Sequence, residues 1–134
     1  MGEGTPGAVT LPVGGVGRLR RLAHEAAPAE VCGVLVGTRG AVDDIREVGN
    51  VAGRGRFEMD PDALLGVLSE VDDRGLSVVG SFHSHPGGRA EPSEMDLREA
   101  VPGWLTVIIG RRGVRAWSVE DGEATEVPLV ERTW

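Results

Sequence analysis

Residues 76–86 read LSVVGSFHSHP, an apolar run that ends in two histidines separated by one residue. A short continuous run of this kind predicts a buried β-strand over Leu76–Phe82. Residues two apart in a strand project from the same face, so such a strand directs the imidazoles of His83 and His85 towards one point. The spacing is that of a strand or turn, because two residues on one face of a helix are three or four apart.

A serine and a carboxylate follow the histidines at short spacing. Seven residues separate His85 from Ser93, and two residues separate Ser93 from Asp96. Zn²⁺ accepts imidazole nitrogen and carboxylate oxygen, and a catalytic zinc site combines three protein ligands with a fourth, open position. Two histidines and an aspartate therefore favour a zinc site.

Parts of this pattern also fit purely structural roles. Ser93 followed three residues later by Asp96 matches a capping box at the start of a helix. That cap is compatible with a second role for Ser93, but it is difficult to combine with metal binding by Asp96. His24 lies near the C-terminal end of a predicted helix, where a partly positive imidazole has a structural role at the helix dipole.

Two rival zinc chemistries are excluded by what the sequence lacks. A nucleobase deaminase needs a Pro-Cys-x-x-Cys segment, which a chain with one cysteine does not contain. The helical His-Glu-x-x-His motif of common metalloproteases is also absent.

The arrangement of Glu30, His83-Ser-His85, Ser93 and Asp96 resembles the JAMM or MPN+ (Mov34/PAD-type) zinc metalloprotease family, in the form of a compact prokaryotic stand-alone member. The segments 24–37 and 57–61 are also similar to that family. The resemblance implies an α/β fold, in which a single-domain mixed β-sheet of cytidine-deaminase-like architecture is flanked by helices.

The resemblance also implies a role for each motif residue. His83, His85 and Asp96 would bind one Zn²⁺ per chain, Glu30 would be the general acid/base, and Ser93 would donate a hydrogen bond to the developing oxyanion. The implied reaction is hydrolysis of the amide that follows the C-terminal Gly-Gly of a ubiquitin-like or sulfur-carrier protein. Two alternatives stay open: a catalytically weak MPN-type scaffold or binding module, and a small-molecule zinc amidase.

The composition fits one globular domain. The chain has 134 residues, of which 40% are hydrophobic and 26% charged, as in a soluble single domain. We expect a flexible N-terminus over residues 1–8 and the metalloprotease domain over residues 9–134. The net charge of -7 argues against a nucleic-acid partner, no apolar stretch approaches the length of a membrane span, and the oligomeric state stays open. The single Cys32, predicted to be buried, favours a cytoplasmic location.

Hydrophobic periodicity predicts three helices among the strands. The first covers Val16–Ala27, the second begins at the Asp60-Pro61-Asp62 cap and ends at Gly75, and the third runs from Ser93 to about Ala100. The apolar face of the second helix is predicted to contain Leu64, Leu65, Leu68 and Val71. Besides residues 76–82, the predicted strands are Val9–Val13, Val31–Val36, Ala41–Val48, Leu105–Ile109, Val114–Val119 and Ala124–Val130. The three tryptophans, Trp104, Trp117 and Trp134, are expected in the core or at an interface, and Trp104, beside Pro102-Gly103, is the one that a position near a substrate groove would also fit.

Overall fold

The protein is described by a computed structural model that covers residues 6–53 and 55–133. Trp134 and the first five residues of the predicted flexible N-terminus lie outside these described residues. The helices are α1 (Gly15–Ala26), α2 (Pro61–Asp73) and α3 (Glu94–Glu99). The strands are β1 (Val9–Leu11), β2 (Cys32–Thr38), β3 (Ala41–Val48), β4 (Ser77–Ser84), β5 (Leu105–Ile109), β6 (Val114–Glu120), β7 (Glu123–Val127) and β8 (Leu129–Glu131).

These strands form a mixed sheet in the order β7-β6-β5-β4-β2-β3-β1-β8. β4 pairs parallel with β5 and antiparallel with β2, so it lies in the middle of the sheet. Both faces of β4 are covered, since Val79 and Phe82 belong to one core cluster and Val78 packs against the other, which is why the run before the histidines is almost continuously apolar. The predicted mixed α/β sheet with flanking helices is confirmed.

The prediction of one last strand over residues 124–130 is wrong. Pro128 divides this segment into β7, which pairs with β6, and β8, which pairs with β1 at the other end of the strand order. Proline has no N–H to donate to a ladder, while its carbonyl accepts a hydrogen bond from the Val9 N–H at 2.9 Å. Pro128 alone joins β7 to β8, and one residue spans at most about 7 Å. Because β7 and β8 are the two outermost strands of the sheet, the sheet must curl until its two edges approach each other.

The two long helices cover opposite faces of the sheet. Leu35 belongs to a core cluster against which the apolar residues of α1 pack, whereas the neighbouring Val34 and Val36 belong to a cluster with Val67 and Val71 of α2. This division follows the alternation of side chains along β2. The apolar stripe predicted for α1 is confirmed by the packing of its members, which are Val16, Leu19, Leu22, Ala23 and Ala26.

The predicted face of α2 needs a correction. Leu65 is 67% exposed, whereas Val67, which the predicted face does not include, is buried. Residues 64, 67, 68 and 71 lie on one side of α2, the side that faces the sheet, since residues three and four apart share a face of a helix. Trp104 packs against this same cluster, so the core interpretation of Trp104 is confirmed and the alternative position near a substrate groove is not.

Local signals in the sequence match the turns and caps. The side chain of Asp60 accepts hydrogen bonds from the backbone N–H groups of Asp62 and Ala63 at 3.0 and 3.5 Å, so it caps α2 as predicted. Asp121 and Gly122 both have positive φ angles, 52° and 76°, as a two-residue hairpin between β6 and β7 requires. Among the described residues, no helix combines the length and the apolar character needed to cross a membrane.

Candidate metal centre

The register of β2 and β4 brings distant residues of the sequence together. Cys32 lies opposite His83 in the antiparallel pair, and extending that register by two residues puts Glu30 opposite His85. Side chains of directly opposed residues emerge on the same face. The junction is fixed by two hydrogen bonds between Val31 and Ser84, one from the Val31 N–H to the Ser84 Oγ at 2.9 Å and one from the Ser84 N–H to the Val31 carbonyl at 3.0 Å.

Three of the predicted side chains converge at the end of β4. The Nε2 atom of His83 lies 3.0 Å from the Nε2 atom of His85, and each nitrogen lies 3.1 Å from the Oδ2 atom of Asp96. The side chains of His83 and Asp96 are nearly inaccessible, with 2% and 7% of their surface exposed, and that of His85 is 19% exposed. The two nitrogens and the oxygen therefore form a triangle of possible metal ligands, and solvent reaches this triangle from the His85 side.

This triangle fits a small cation such as Zn²⁺. Zinc bonds of about 2.0–2.1 Å in a tetrahedral site separate the ligand atoms by about 3.3 Å, close to the separations of 3.0 and 3.1 Å in the cluster. Two neutral imidazoles and a carboxylate can all turn lone pairs towards one point when a positive charge occupies that point. Nitrogen and oxygen ligands of this kind are those that zinc accepts.

The two histidine rings are oriented by different contacts. The Nδ1 atom of His85 lies 2.9 Å from the Arg89 carbonyl oxygen, so a proton on Nδ1 leaves the Nε2 lone pair free for a metal ion. His83 instead stacks on Phe57, with ring centroids 4.3 Å apart and planes 22° apart. Its Nδ1 atom is buried without a hydrogen-bond partner among the described residues. Packing against Phe57 therefore orients His83.

Asp96 takes part both in a helix cap and in the cluster with the histidines, although a cap was expected to be difficult to combine with metal binding there. Ser93 caps α3: its Oγ accepts the Asp96 N–H at 3.1 Å, and its own N–H donates to the Oδ2 of Asp96 at 2.9 Å. That same Oδ2 forms the triangle with the two imidazoles. Because a carboxylate oxygen has more than one lone pair, the capping box holds Asp96 in the orientation that faces the histidines.

Charge and burial act against each other at Asp96. Burial opposes its ionisation, but hydrogen bonds to His83 and His85, with a further bond from the Ser93 N–H, hold the pKa of Asp96 far below its usual range. The hydrogen bond to Asp96 in turn raises the pKa of His85. Asp96 is therefore ionised at neutral pH, the state in which a carboxylate binds a cation.

Glu30 lies beside the triangle and is buried, with 7% of its surface exposed. One of its carboxylate oxygens is within 4.8 Å of a ring nitrogen of each histidine. Burial raises the pKa of Glu30, while the positive character of His83 and His85 partly opposes that effect. A carboxylate of raised basicity at this distance is suited to accepting and returning a proton.

The cluster opens into a cleft of about 730 Å³. Glu30, His85 and Asp96 lie along the cleft, together with Ser93, whose hydroxyl oxygen accepts a bond in the cap and whose proton is still available to donate. The cleft holds these four of the five predicted site residues, and His83 lies behind them under Phe57. His24 is exposed on α1 and does not line the cleft.

Asn50 is a structural residue of the site that sequence reasoning missed. Its side-chain N–H groups donate to the carbonyls of Glu30 and Arg56 at 2.9 and 3.2 Å. Its Oδ1 accepts the N–H groups of Ala52 and Glu58 at 2.9 and 3.0 Å. One side chain thus ties the wall of the cleft to the backbone of Glu30. An asparagine at the start of a loop rich in Gly and Arg was the available signal.

The mixed sheet, its flanking helices and this cluster at the end of a buried strand define the class, that of JAMM-type metalloproteases. Within that class, the chain belongs to the family described as prokaryotic homologs of the JAB domain (Prok-JAB), whose profile matches residues 12–120. The suspected resemblance is confirmed.

Individual relatives agree with this assignment. The chain is 36% identical over 102 residues to a desampylase from Haloferax volcanii, an alignment that covers 70% of this chain and 73% of that protein. It is 39% identical over 106 residues to a probable TtuB-protein conjugate cleaving protease from Thermus thermophilus, with 78% and 70% covered. A solution structure of a protein from Desulfitobacterium hafniense has a TM-score of 0.82 and 25% identity, and the match covers 92% of each chain.

Proposed function

We propose that this chain is a zinc-dependent isopeptidase or peptidase that hydrolyses the amide after the C-terminal Gly-Gly of a ubiquitin-like or sulfur-carrier protein. The observation that carries the proposal is the convergence of His83, His85 and Asp96 on one point, with a buried Glu30 beside them. The names of the two relatives, a desampylase and a protease that cleaves TtuB-protein conjugates, support a partner of the ubiquitin-like kind.

In this proposal His83, His85 and Asp96 hold the zinc ion, which acts when bound as a Lewis acid towards a carbonyl and activates water for attack. Glu30 accepts one proton from the water that adds to the amide carbon. As the carbon–nitrogen bond breaks, Glu30 returns that proton to the leaving amine. The Ser93 hydroxyl donates a hydrogen bond to the carbonyl oxygen while that oxygen gains negative charge.

A Gly-Gly tail suits the wall of the cleft formed by Gly55, Arg56 and Phe57, a segment that continues to Met59 outside the cleft. In the pairing of Asn50 with Met59, the Val51 N–H donates to the Glu58 carbonyl, and the Asp60 N–H donates to the Gly49 carbonyl. Backbone N–H and C=O groups alternate in direction along an extended chain, so the N–H and C=O groups of Phe57 and Met59 point away from Asn50. Within residues 6–53 and 55–133, these groups have no backbone hydrogen-bond partner. An extended tail without side chains could add main-chain bonds there.

The scaffold and amidase alternatives make different predictions. A scaffold would not need a buried base beside a complete ligand triangle, so Glu30 argues against it. A small-molecule amidase would use the same residues but would not need a partner with a folded body. A much higher kcat/KM on a Gly-Gly-extended protein than on short amides would exclude the amidase.

Mass spectrometry of carrier proteins tests the proposal directly. Candidate ubiquitin-like proteins carrying an amide-linked group after Gly-Gly are incubated with wild-type protein and with Glu30→Gln. We expect the mass of the free Gly-Gly carboxylate to appear with wild type and not with the variant. Intact conjugates after incubation with zinc-loaded wild-type protein would contradict the proposal.

A further inference from the structure

A second depression, of about 500 Å³, lies on the other side of His85 and Pro86 from the metal cleft. Arg20 and Arg21 of α1 line it, together with Arg111 of the turn between β5 and β6, and no carboxylate among the described residues does so. The metal cleft, in contrast, is lined among the described residues by three carboxylates, those of Glu30, Glu94 and Asp96, and by one arginine, Arg56. The loop that carries His85 therefore separates a mainly acidic cleft from a cationic one.

The cationic surface continues around the turn between β5 and β6. A third depression, of about 630 Å³, shares Gly87 and Arg111 with the second and adds Arg112, Arg89 and Arg115. Its one carboxylate belongs to Glu91, which pairs with Arg115 at 3.3 Å. The carboxylate of Glu91 is thus already paired with Arg115, which lines the same depression.

We call Arg20, Arg21, Arg111 and Arg112 the arginine face. All four are exposed, and none has a carboxylate within 4.0 Å among the described residues. This is unexpected in a chain with 21 acidic and 14 basic residues. Unpaired like charges at neighbouring positions repel one another, so the cluster lowers stability unless a partner of opposite charge occupies it.

The backbone of one part of the arginine face, the turn between β5 and β6, is tied to the metal centre. The Arg111 N–H donates to the Gly88 carbonyl at 2.8 Å, and the His85 N–H donates to the Ile109 carbonyl at 2.9 Å. Gly110 permits this contact, because a Cβ atom there would lie 2.5 Å from the Ala90 nitrogen. The turn that presents Arg111 is therefore joined to the loop that presents His85.

The cations of the face are guanidinium groups, which match a carboxylate or a phosphate with two parallel hydrogen bonds. Because the sequence contains arginine and no lysine, this choice of cation is not specific to the face. Nucleic acid is the weaker candidate, because the net charge of -7 repels a phosphate backbone.

We propose that the arginine face docks an acidic surface on the folded body of the partner protein while the partner's tail lies in the metal cleft. This inference rests on the proposed function and identifies the partner further, as a ubiquitin-like protein with a cluster of Asp and Glu beside its C-terminal tail. Docking of this kind accelerates association and lowers KM, and it leaves the bond-breaking step unchanged.

The test compares two variants with a matched control. Arg111→Glu and the double variant Arg20→Glu/Arg21→Glu reverse charge within the face. Arg74→Glu makes the same change at the exposed end of α2, where Arg74 has no ion-pair partner among the described residues. Arg111→Lys keeps the charge. The probes are a ubiquitin-like domain ending in Gly-Gly-amide with an acidic surface, the same domain with its surface charges reversed, and a short Gly-Gly-amide peptide.

We expect each reversal within the face to reduce kcat/KM on the acidic probe by about tenfold or more at low salt, through KM. The loss should shrink at about 1 M salt, where charges are screened beyond about 3 Å. Arg111→Lys should keep most of the activity, and Arg74→Glu should behave as wild type. Equal losses on the short peptide, or equal cleavage of the acidic and charge-reversed probes by wild type, would overturn the proposal.

A binding measurement separates this inference from the proposed function. Fluorescence anisotropy of the labelled acidic probe is followed with Glu30→Gln as the receptor, which requires no turnover. Weaker binding after Arg111→Glu supports the docking face even if no cleavage is detected. Unchanged binding, or tighter binding of an RNA oligonucleotide than of the acidic probe, would overturn it. Absence of cleavage by zinc-loaded wild type, with docking intact, would instead count against the hydrolytic function.

Discussion

The metal cleft and the arginine face lie on two sides of the same short loop, yet they are built in opposite ways. His83, Asp96 and Glu30 are almost inaccessible, and strand register, a helix cap and ring stacking position them. The arginines are exposed on a helix and a turn. In the proposals made above, chemistry depends on buried side chains with fixed partners, whereas recognition depends on exposed charges without partners. Substitutions in the two regions should therefore differ in kind and in size.

The largest effect is expected from removing a metal ligand. His83→Ala or Asp96→Ala breaks the triangle of donor atoms, so zinc content should fall and hydrolysis should fall to background on both protein and short peptide substrates. Atomic emission measures the metal. His24→Ala also removes an imidazole, but from the exposed surface of α1, and it should keep the full metal content. A full complement of zinc in either ligand variant would show that the ligand set is wrong.

Glu30→Gln should separate metal binding from proton transfer. The amide has the shape of the carboxylate and lacks its basicity, so we expect zinc to stay bound and kcat to fall by about 10²–10⁴. Glu94→Gln makes the same change at an exposed position in the same cleft and should retain most of the turnover. The assignment of Glu30 as the group that transfers the proton would be contradicted if Glu30→Gln lost zinc while the fraction of the variant that still contained zinc remained active.

Ser93→Ala tests two roles of one hydroxyl. Loss of an oxyanion donor costs about 10²–10³ in kcat, and loss of the helix cap costs about 1 kcal/mol of stability. Asp60→Ala removes the cap of α2 outside the cleft, so it should lower stability by a similar amount without the loss in kcat. If the two variants lose stability and activity in parallel, Ser93 acts through the cap alone.

Cys32 should give the smallest effect, although it lies directly opposite His83 in the sheet. It is fully buried, and burial, with smaller contributions from the nearby carboxylates of Glu47 and Glu30, raises the pKa of its thiol to about 12. Because the thiolate is the reactive form, native protein should resist iodoacetamide at pH 8, and unfolded protein should react readily. Rapid alkylation of the native thiol, measured by mass spectrometry, would mean that the strand pair opens at the metal centre.

The centre of the molecule was predictable from sequence because it is simple in physical terms. The bounds of β3 and β5 agree with the prediction. His83, His85 and Asp96 lie together as the spacing indicated, and Glu30 lies beside them as the family resemblance implied. Residues buried on both faces give continuous apolar runs, and a short-range motif such as Ser93 to Asp96 gives a local cap. The joint use of Asp96 as cap and cluster member depends on the orientation of its Oδ2, which spacing alone does not give.

The periphery was harder to predict because its structure depends on distant partners. The sequence pattern of β7 and β8 is that of one strand. In the structure, Pro128 and the pairing of Val9 with Leu129 divide it into two strands. Leu65 and Val67 compete for one helix face, and the position of the sheet decides between them. Arg20 and Arg111 are remote in sequence, so no local pattern could have brought them to one surface.

The dependence of turnover on zinc is the most direct test of the account. Wild-type protein is stripped with a chelator, its metal content is verified by atomic emission, and cleavage of a Gly-Gly-amide conjugate is followed while Zn²⁺ is restored. We expect turnover to vanish in the stripped protein and to return as one zinc ion per chain is added. Unchanged turnover in protein verified to contain no metal would contradict the central claim that His83, His85 and Asp96 hold the ion on which hydrolysis depends.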